Sequence, residues 1–379
     1  MRSHRLIVVF AAALLLVACG ADSQSNDRSR NGDAASTSAD RRSGTTTTLP
    51  GSARMVMATI DLPRGMSSWA VGDDAIWVAQ NEPAEVRRLD RDSGRVTATV
   101  DIEAQLQQQV DKEAGAGLDV TVELGQITVS KDAVWVTNTA SPSGSVFRIE
   151  TDELTFTTVS IGCTAGPNLA VSDDAVWVPG TCRPSTVSRI GRDGLTVAGI
   201  DVPAGPVGRP VEVAASATAA WILSIGGIGD QPPPPALTRL DPATGTIVAT
   251  VENPGGLDCF DARYALAVSD DAVWITVGCS RGDTLVRIDP RTLAVTDTIS
   301  LGKSSLVKRH LAVSQDAVWI TDHDGLLRID PATRTLADTI DFGFEPADVV
   351  VNGDELWIDE PPDSETHGPT KLLRLDPRA

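Results

Sequence analysis

Tyrosine occurs once in this chain of 379 residues and phenylalanine six times, while tryptophan occurs eight times, so the aromatic content is spent on one residue type. Positive charge is also scarce: 32 Lys and Arg against 51 Asp and Glu leave a formal charge of -19. A nucleic-acid site gains most of its affinity by neutralising phosphates with a basic surface, so DNA, RNA and anionic membrane surfaces are poor partners for this chain. Enzyme signatures are missing too. There is no Gly-x-Ser-x-Gly elbow, no phosphate loop and no His-Glu-x-x-His pair. Cys-x-x-Cys spacing is absent, which argues against a common zinc site.

The apolar run near the start, residues 6–18, is 13 residues long. As a helix it is too short to cross about 30 Å of hydrocarbon, and with Arg2 and Arg5 before it the segment 1–18 reads as a signal peptide. It ends Leu16-Val17-Ala18-Cys19-Gly20, which resembles the lipobox of bacterial lipoproteins. That resemblance implies a lipid on Cys19 and a protein anchored to the outer face of the cell membrane. It also accounts for the odd one of five cysteines. Residues 20–52 carry almost no large apolar side chain and have nothing with which to bury a core. The stretch 19–53 is therefore expected to be a disordered tether, with an end-to-end distance on the order of 30 Å.

The remaining chain, 54–379, is a repeat. Trp77, Trp135, Trp177, Trp221, Trp274, Trp319 and Trp357 recur at separations of 58, 42, 44, 53, 45 and 38 residues, which is the period of a propeller blade. Each lies in a β-branched run and is followed by a turn like Arg287-Ile288-Asp289-Pro290. Alternating apolar residues, polar hairpin turns and Pro-set turns divide each unit into four antiparallel strands. The predicted fold is an all-β, seven-bladed β-propeller. Its seventh unit stops at Arg374-Leu375-Asp376-Pro377 without a fourth strand, while residues 56–62 read like the fourth strand at 336–342. The first strand is therefore expected to complete the last blade.

An arginine in every third strand (Arg88, Arg148, Arg189, Arg239, Arg287, Arg328, Arg374) serves the blade rather than a ligand, and pairing with the turn carboxylates is the simplest role. The loops between first and second strands and between third and fourth are short. The loops of the other face hold the insertions at 103–117, 226–235 and 360–369. Function concentrates on long loops carried by a rigid scaffold. The last four cysteines fall on the same face, at equivalent places in units three and five. Of the three possible pairings, Cys163–Cys182 with Cys259–Cys279 joins neighbouring loops within a unit.

Nine residues before each tryptophan, where first strands should begin beside the channel, stand Ser68, Gln126, Asn168, Glu212, Ala265, His310 and Asp348. Three residues after it come residues that include Asp322 and Glu360, and Arg209, Arg263 and Arg309 stand beside the first ring. The candidate ligand-binding set is Gln126, Asn168, Arg209, Glu212, Arg263, Arg309, His310, Asp322, Asp348 and Glu360. Polar residues that merely wet a channel mouth are the competing reading.

Units such as Asp173-Asp174-Ala175-Val176-Trp177-Val178 and Val286-Arg287-Ile288-Asp289-Pro290 resemble those of YncE-type and virginiamycin B lyase-like seven-bladed propellers over about residues 54–379. The superfamily holds enzymes, sensors and binding modules. In the lyases a histidine at the start of a first strand and a glutamate after the tryptophan of its second strand act with magnesium. Those places fall here on Arg309, with His310 one place off, and on Asp322. Two readings follow. The chain is a monomeric, tethered binding protein for a ligand or a cell-envelope protein, needing no cofactor and no metal, or it is a lyase-like enzyme using magnesium. The YncE-type resemblance also implies DNA binding, which the charge opposes.

Overall fold

The computed structural model describes residues 52–378 apart from 115–118, 141–143, 167, 182–185, 203–208, 227–233, 255–262, 281, 303–308 and 363–368. Seven four-stranded antiparallel sheets form, at 66–101, 124–160, 170–201, 209–252, 263–302, 311–341 and 349–375, and they are numbered here as blades 1 to 7. The strands of blades 1 to 6 are consecutive in sequence. Blade 7 takes Val56–Asp61 as its outermost strand, antiparallel to Lys371–Leu375, with Ile60 opposite Leu372. The closing strand is where the sequence predicts it.

Each blade runs from channel to rim in the order of its strands, and burial follows that order. Second strands such as Val273–Gly278 are buried throughout, whereas fourth strands such as Ile247–Glu252 are mostly exposed. The tryptophans of the second strands are all buried, and each belongs to an apolar cluster shared with the next blade. Trp77 packs with Val134 and Phe147 of blade 2, and Trp357 packs with Trp69 and Ile76 of blade 1. A sheet that must cover both faces thus finds its cover in its neighbours, and the core is a ring.

The third-strand arginine lies directly opposite the tryptophan in all seven blades, as in Trp274 opposite Arg287 and Trp319 opposite Arg328. Cross-strand partners share a face, and each guanidinium sits over its indole with 5.5 to 6.0 Å from carbon to ring centroid. The expected turn carboxylate is found in part. Arg88 pairs with Asp74 at 2.7 Å, Arg287 with Asp271 at 3.0 Å and Arg148 with Asp132 at 3.6 Å, but Arg328 stacks without an ion pair among the described residues. The stack is the constant feature, and the carboxylate is an addition.

Closure is well knit. Ile60 and Leu62 join the cluster of Trp69, Val71 and Trp357, and Arg91 of blade 1 reaches back over Trp357 to pair with Glu355. Gly94, in the turn before the fourth strand of blade 1, has φ of +67°, and a Cβ there would come within 2.3 Å of Ile60 Cγ2. Only glycine permits both that backbone and that approach to the closing strand. On the long-loop face, the insertion after blade 1 forms the helix Ile102–Ala114, capped by Asp101 Oδ1 accepting from Ala104 N–H at 2.8 Å. The insertions at 226–235 and 360–369 lie largely outside the described residues.

Candidate functional site at the channel mouth

The polar residues nine places before each tryptophan do not all face a ligand. Several stitch one inner strand to the next. Ser68 Oγ donates to Gly125 O at 2.7 Å, Leu169 N–H donates to Gln126 Oε1 at 3.0 Å, and Asn168 Nδ2 donates to Val211 O at 2.8 Å. Gln126 and Asn168 are thereby committed to neighbouring backbone, and the ligand-binding role expected of them competes with that work. First strands also begin less regularly than the spacing predicts, at Met66 in blade 1 but at Ala170 in blade 3, two residues beyond Asn168.

Between blades 6 and 7 the same register produces a different group. His310 Nδ1 lies 3.0 Å from Asp348 Oδ1, and both side chains are about one-third exposed, at 34% and 30%. Asp348 N–H in turn donates to Asp359 Oδ1 at 2.7 Å. Asp359 is only 3% exposed, and burial pushes its carboxyl up to about 6. The neighbouring Asp348 charge raises it further, while the Asp348 N–H and His310 act the other way. His310 is fixed from its backbone as well, through N–H donation to Thr321 Oγ1 at 2.8 Å and acceptance from Thr321 N–H at 3.0 Å. An imidazole and two carboxyls in a single chain of contacts, partly open at the mouth, can hold a ligand donor, and Asp359, pushed up to about 6, can exchange a proton.

Arg309 and Asp322 are brought together, but with each other. Arg309 is 5% exposed; its Nε donates to Asp283 Oδ2 at 2.7 Å, and one terminal nitrogen donates to Asp322 Oδ1 at 2.6 Å and to Thr321 O at 3.1 Å. Asp283 is fully buried and belongs to blade 5, so the arginine ties two blades together by an ion pair. The ligand-binding role expected of Arg309 competes with these bonds, which engage Nε and one terminal nitrogen. These are also the positions onto which the lyase resemblance falls. A guanidinium is permanently charged and has no lone pair to offer, so Arg309 can neither serve as a base nor ligate the magnesium that the resemblance implies at this position. Among the described residues no three His, Cys, Asp or Glu side chains converge as a metal site.

Glu360 has a partner outside this group. It pairs with Lys371 at 3.0 Å beside a groove lined by Val56, Phe342, Phe344 and Leu373 toward the rim. Arg209 and Arg263 are exposed, each the first residue of its inner strand in blades 4 and 5. Glu212 lies in the same strand as Arg209, three residues on. Cys163 and Cys279 are buried on the long-loop face, while Cys182, Cys259 and Cys19 lie outside the described residues. The Asp322-His323-Asp324-Gly325 segment is a tight turn, with Asp322 paired to Gly325.

Asp359, Asp283 and the arginine stacks were not among the expected features. A signal for Asp359 does exist. Two residues after the tryptophan the blades carry Ala79, Thr137, Pro179, Leu223, Thr276 and Thr321, and an acid stands there in blade 7 alone.

The fold and this mouth define a seven-bladed β-propeller with a titratable cluster at the channel. No family model matches the chain, and no curated protein does. Among solved structures it is similar to the computationally designed Ika8 protein, with 12% identity and a TM-score of 0.50 over 84% of this chain and 99% of that one. The PQQ-bound aldose sugar dehydrogenase of Streptomyces coelicolor is also similar, with 16% identity and a TM-score of 0.43 over 85% of this chain and 97% of that one. The likeness to the designed protein speaks for the fold alone.

Proposed function

We propose that this chain is an exported, membrane-tethered binding protein that takes a small ligand or a cell-envelope partner at the channel mouth on its long-loop face. The observation that carries the reading is the His310–Asp348–Asp359 chain of contacts, in which a buried acid held near neutrality underlies a partly exposed imidazole–carboxylate pair. A buried acid with perturbed acidity beside a partly exposed imidazole is a candidate functional group. The repeat unit supports a place among YncE-type and virginiamycin B lyase-like propellers. Binding is favoured over lyase chemistry because Arg309 stands where the base would be.

A thermal-shift screen of amino acids, short peptides and sugars tests the site. A compound that stabilises the wild type should lose its effect in His310→Ala and Asp348→Asn and keep it in Asp316→Ala, on the opposite face. Loss in Asp316→Ala with retention in the two mouth variants would place binding on the wrong face.

Anchoring at Cys19 and the bridges Cys163–Cys182 and Cys259–Cys279 belong to the same proposal. Each bridge would close a loop of about twenty residues and contribute roughly 3 kcal/mol in the chain-entropy model. Mass spectrometry of protein extracted from membranes should find an acylated Cys19 peptide and these two linked pairs. A Cys163–Cys259 linkage, or an unmodified N-terminal segment, would contradict it.

A further inference from the structure

Residues that serve the blade recur in all seven blades, as the stacked arginines do. Arg209 and Arg263 do not. They stand twelve and eleven residues before Trp221 and Trp274, and the same places in blades 1, 2, 3 and 7 carry no base. In blade 6 the place is Lys308, outside the described residues. Positive charge at this position is thus confined to three consecutive blades of a chain whose formal charge is -19.

Both arginines open their inner strands at the long-loop end, Arg209 opposite Ile225 and Arg263 opposite Gly278, and these first strands of blades 4 and 5 are neighbours. Both side chains are exposed, and neither has a hydrogen bond or ion pair among the described residues. Arg309, one blade on, is by contrast buried and ion-paired. Two like charges on neighbouring inner strands repel each other, and among the described residues no carboxylate is paired with either. A guanidinium offers planar, paired N–H donors that match the two oxygens of a carboxylate or phosphate, and two of them around one oxyanion turn the repulsion into shared attraction.

We propose that Arg209 and Arg263 form an oxyanion-binding site on the blade 4 and 5 side of the mouth, for the carboxylate or phosphate group of the ligand. This rests on the mouth being the working face and adds the ligand's charge class. The His310–Asp348–Asp359 group then faces a different part of the same ligand, and an anionic end is directed away from the carboxyls by the field of the mouth itself.

Isothermal titration at low ionic strength with inorganic phosphate and, separately, succinate tests it. The wild type should bind one of the two, and which one binds distinguishes phosphate from carboxylate ligands. Arg209→Gln and Arg263→Gln should each weaken binding at least about tenfold, and Arg263→Lys should fall between, because a point charge keeps attraction but loses the paired geometry. Arg291→Gln, an exposed arginine in a blade 5 turn on the other face, should bind as the wild type does. Absence of binding by the wild type, or equal loss in Arg291→Gln, overturns the site, as does unchanged binding in the two mouth variants. If the screened compound still depends on Asp348 while neither anion binds, the oxyanion site fails and the mouth stands. If that compound depends on Asp316 instead, the mouth itself fails.

Discussion

Asp359 does with a carboxylate what threonine does in two other blades. Thr276 Oγ1 accepts from Ala265 N–H at 3.1 Å and Thr321 Oγ1 from His310 N–H at 2.8 Å, and Asp359 Oδ1 accepts from Asp348 N–H in the same register. A neutral hydroxyl would satisfy that donor without burying a charge. The carboxyl's folded value of about 6 stands above its ordinary 3.8, so the folded state holds the proton more tightly than the unfolded chain. Its contribution to stability is therefore complete below about pH 4 and is lost as pH rises through about 6, with a cost of about 3 kcal/mol by pH 7. His310 and Asp348 face the same carboxyl and modulate the curve. Asp359→Thr should flatten the fall in melting temperature between about pH 4 and 6 and raise it at pH 7.5. An unchanged pH profile in thermal melts would show that the acid carries no such penalty. A residue that costs stability where a neighbouring blade shows a cheaper solution is the kind retained for binding or proton exchange.

The four-stranded unit was readable because each of its signals is local. A tryptophan in a β-branched run and a basic residue opposite the indole fall within about thirty residues in every blade, and blades 4 to 7 add a Pro-set turn. The donation of residues 56–62 to blade 7 was readable for the same reason, since its sequence repeats that of another fourth strand. Contacts between blades were not. Gln126 to Leu169 and Asn168 to Val211 span 43 residues each, Arg309 to Asp283 spans 26, and no periodicity announces them. A polar residue beside the channel looks the same in sequence whether it holds a neighbour's backbone or a ligand, so the sequence does not reveal that Gln126 and Asn168 bond the neighbouring strand. Charge alone suggests a turn carboxylate as the arginine's partner, while register across the hairpin sets it over the tryptophan. At roughly 0.5–2 kcal/mol each, seven such stacks are a substantial part of what makes the units equivalent.

At the scale of the molecule, the blades depend on one another. Every tryptophan is covered by the next blade, and blade 7 completes the series only with a strand drawn from the other end of the described chain. The mouth depends on the same closure, because His310 belongs to blade 6 and Asp348 and Asp359 to blade 7, whose sheet is three strands without Val56–Asp61. The most direct measurement is a thermal melt, with size-exclusion chromatography, of protein lacking residues 54–62. Loss of this strand uncovers Trp69 and Trp357 and leaves Lys371–Leu375 as an unpaired edge, so the truncated protein should melt well below the wild type and self-associate. A truncated protein that stays monodisperse with the wild-type melting temperature would contradict a ring closed by its first strand.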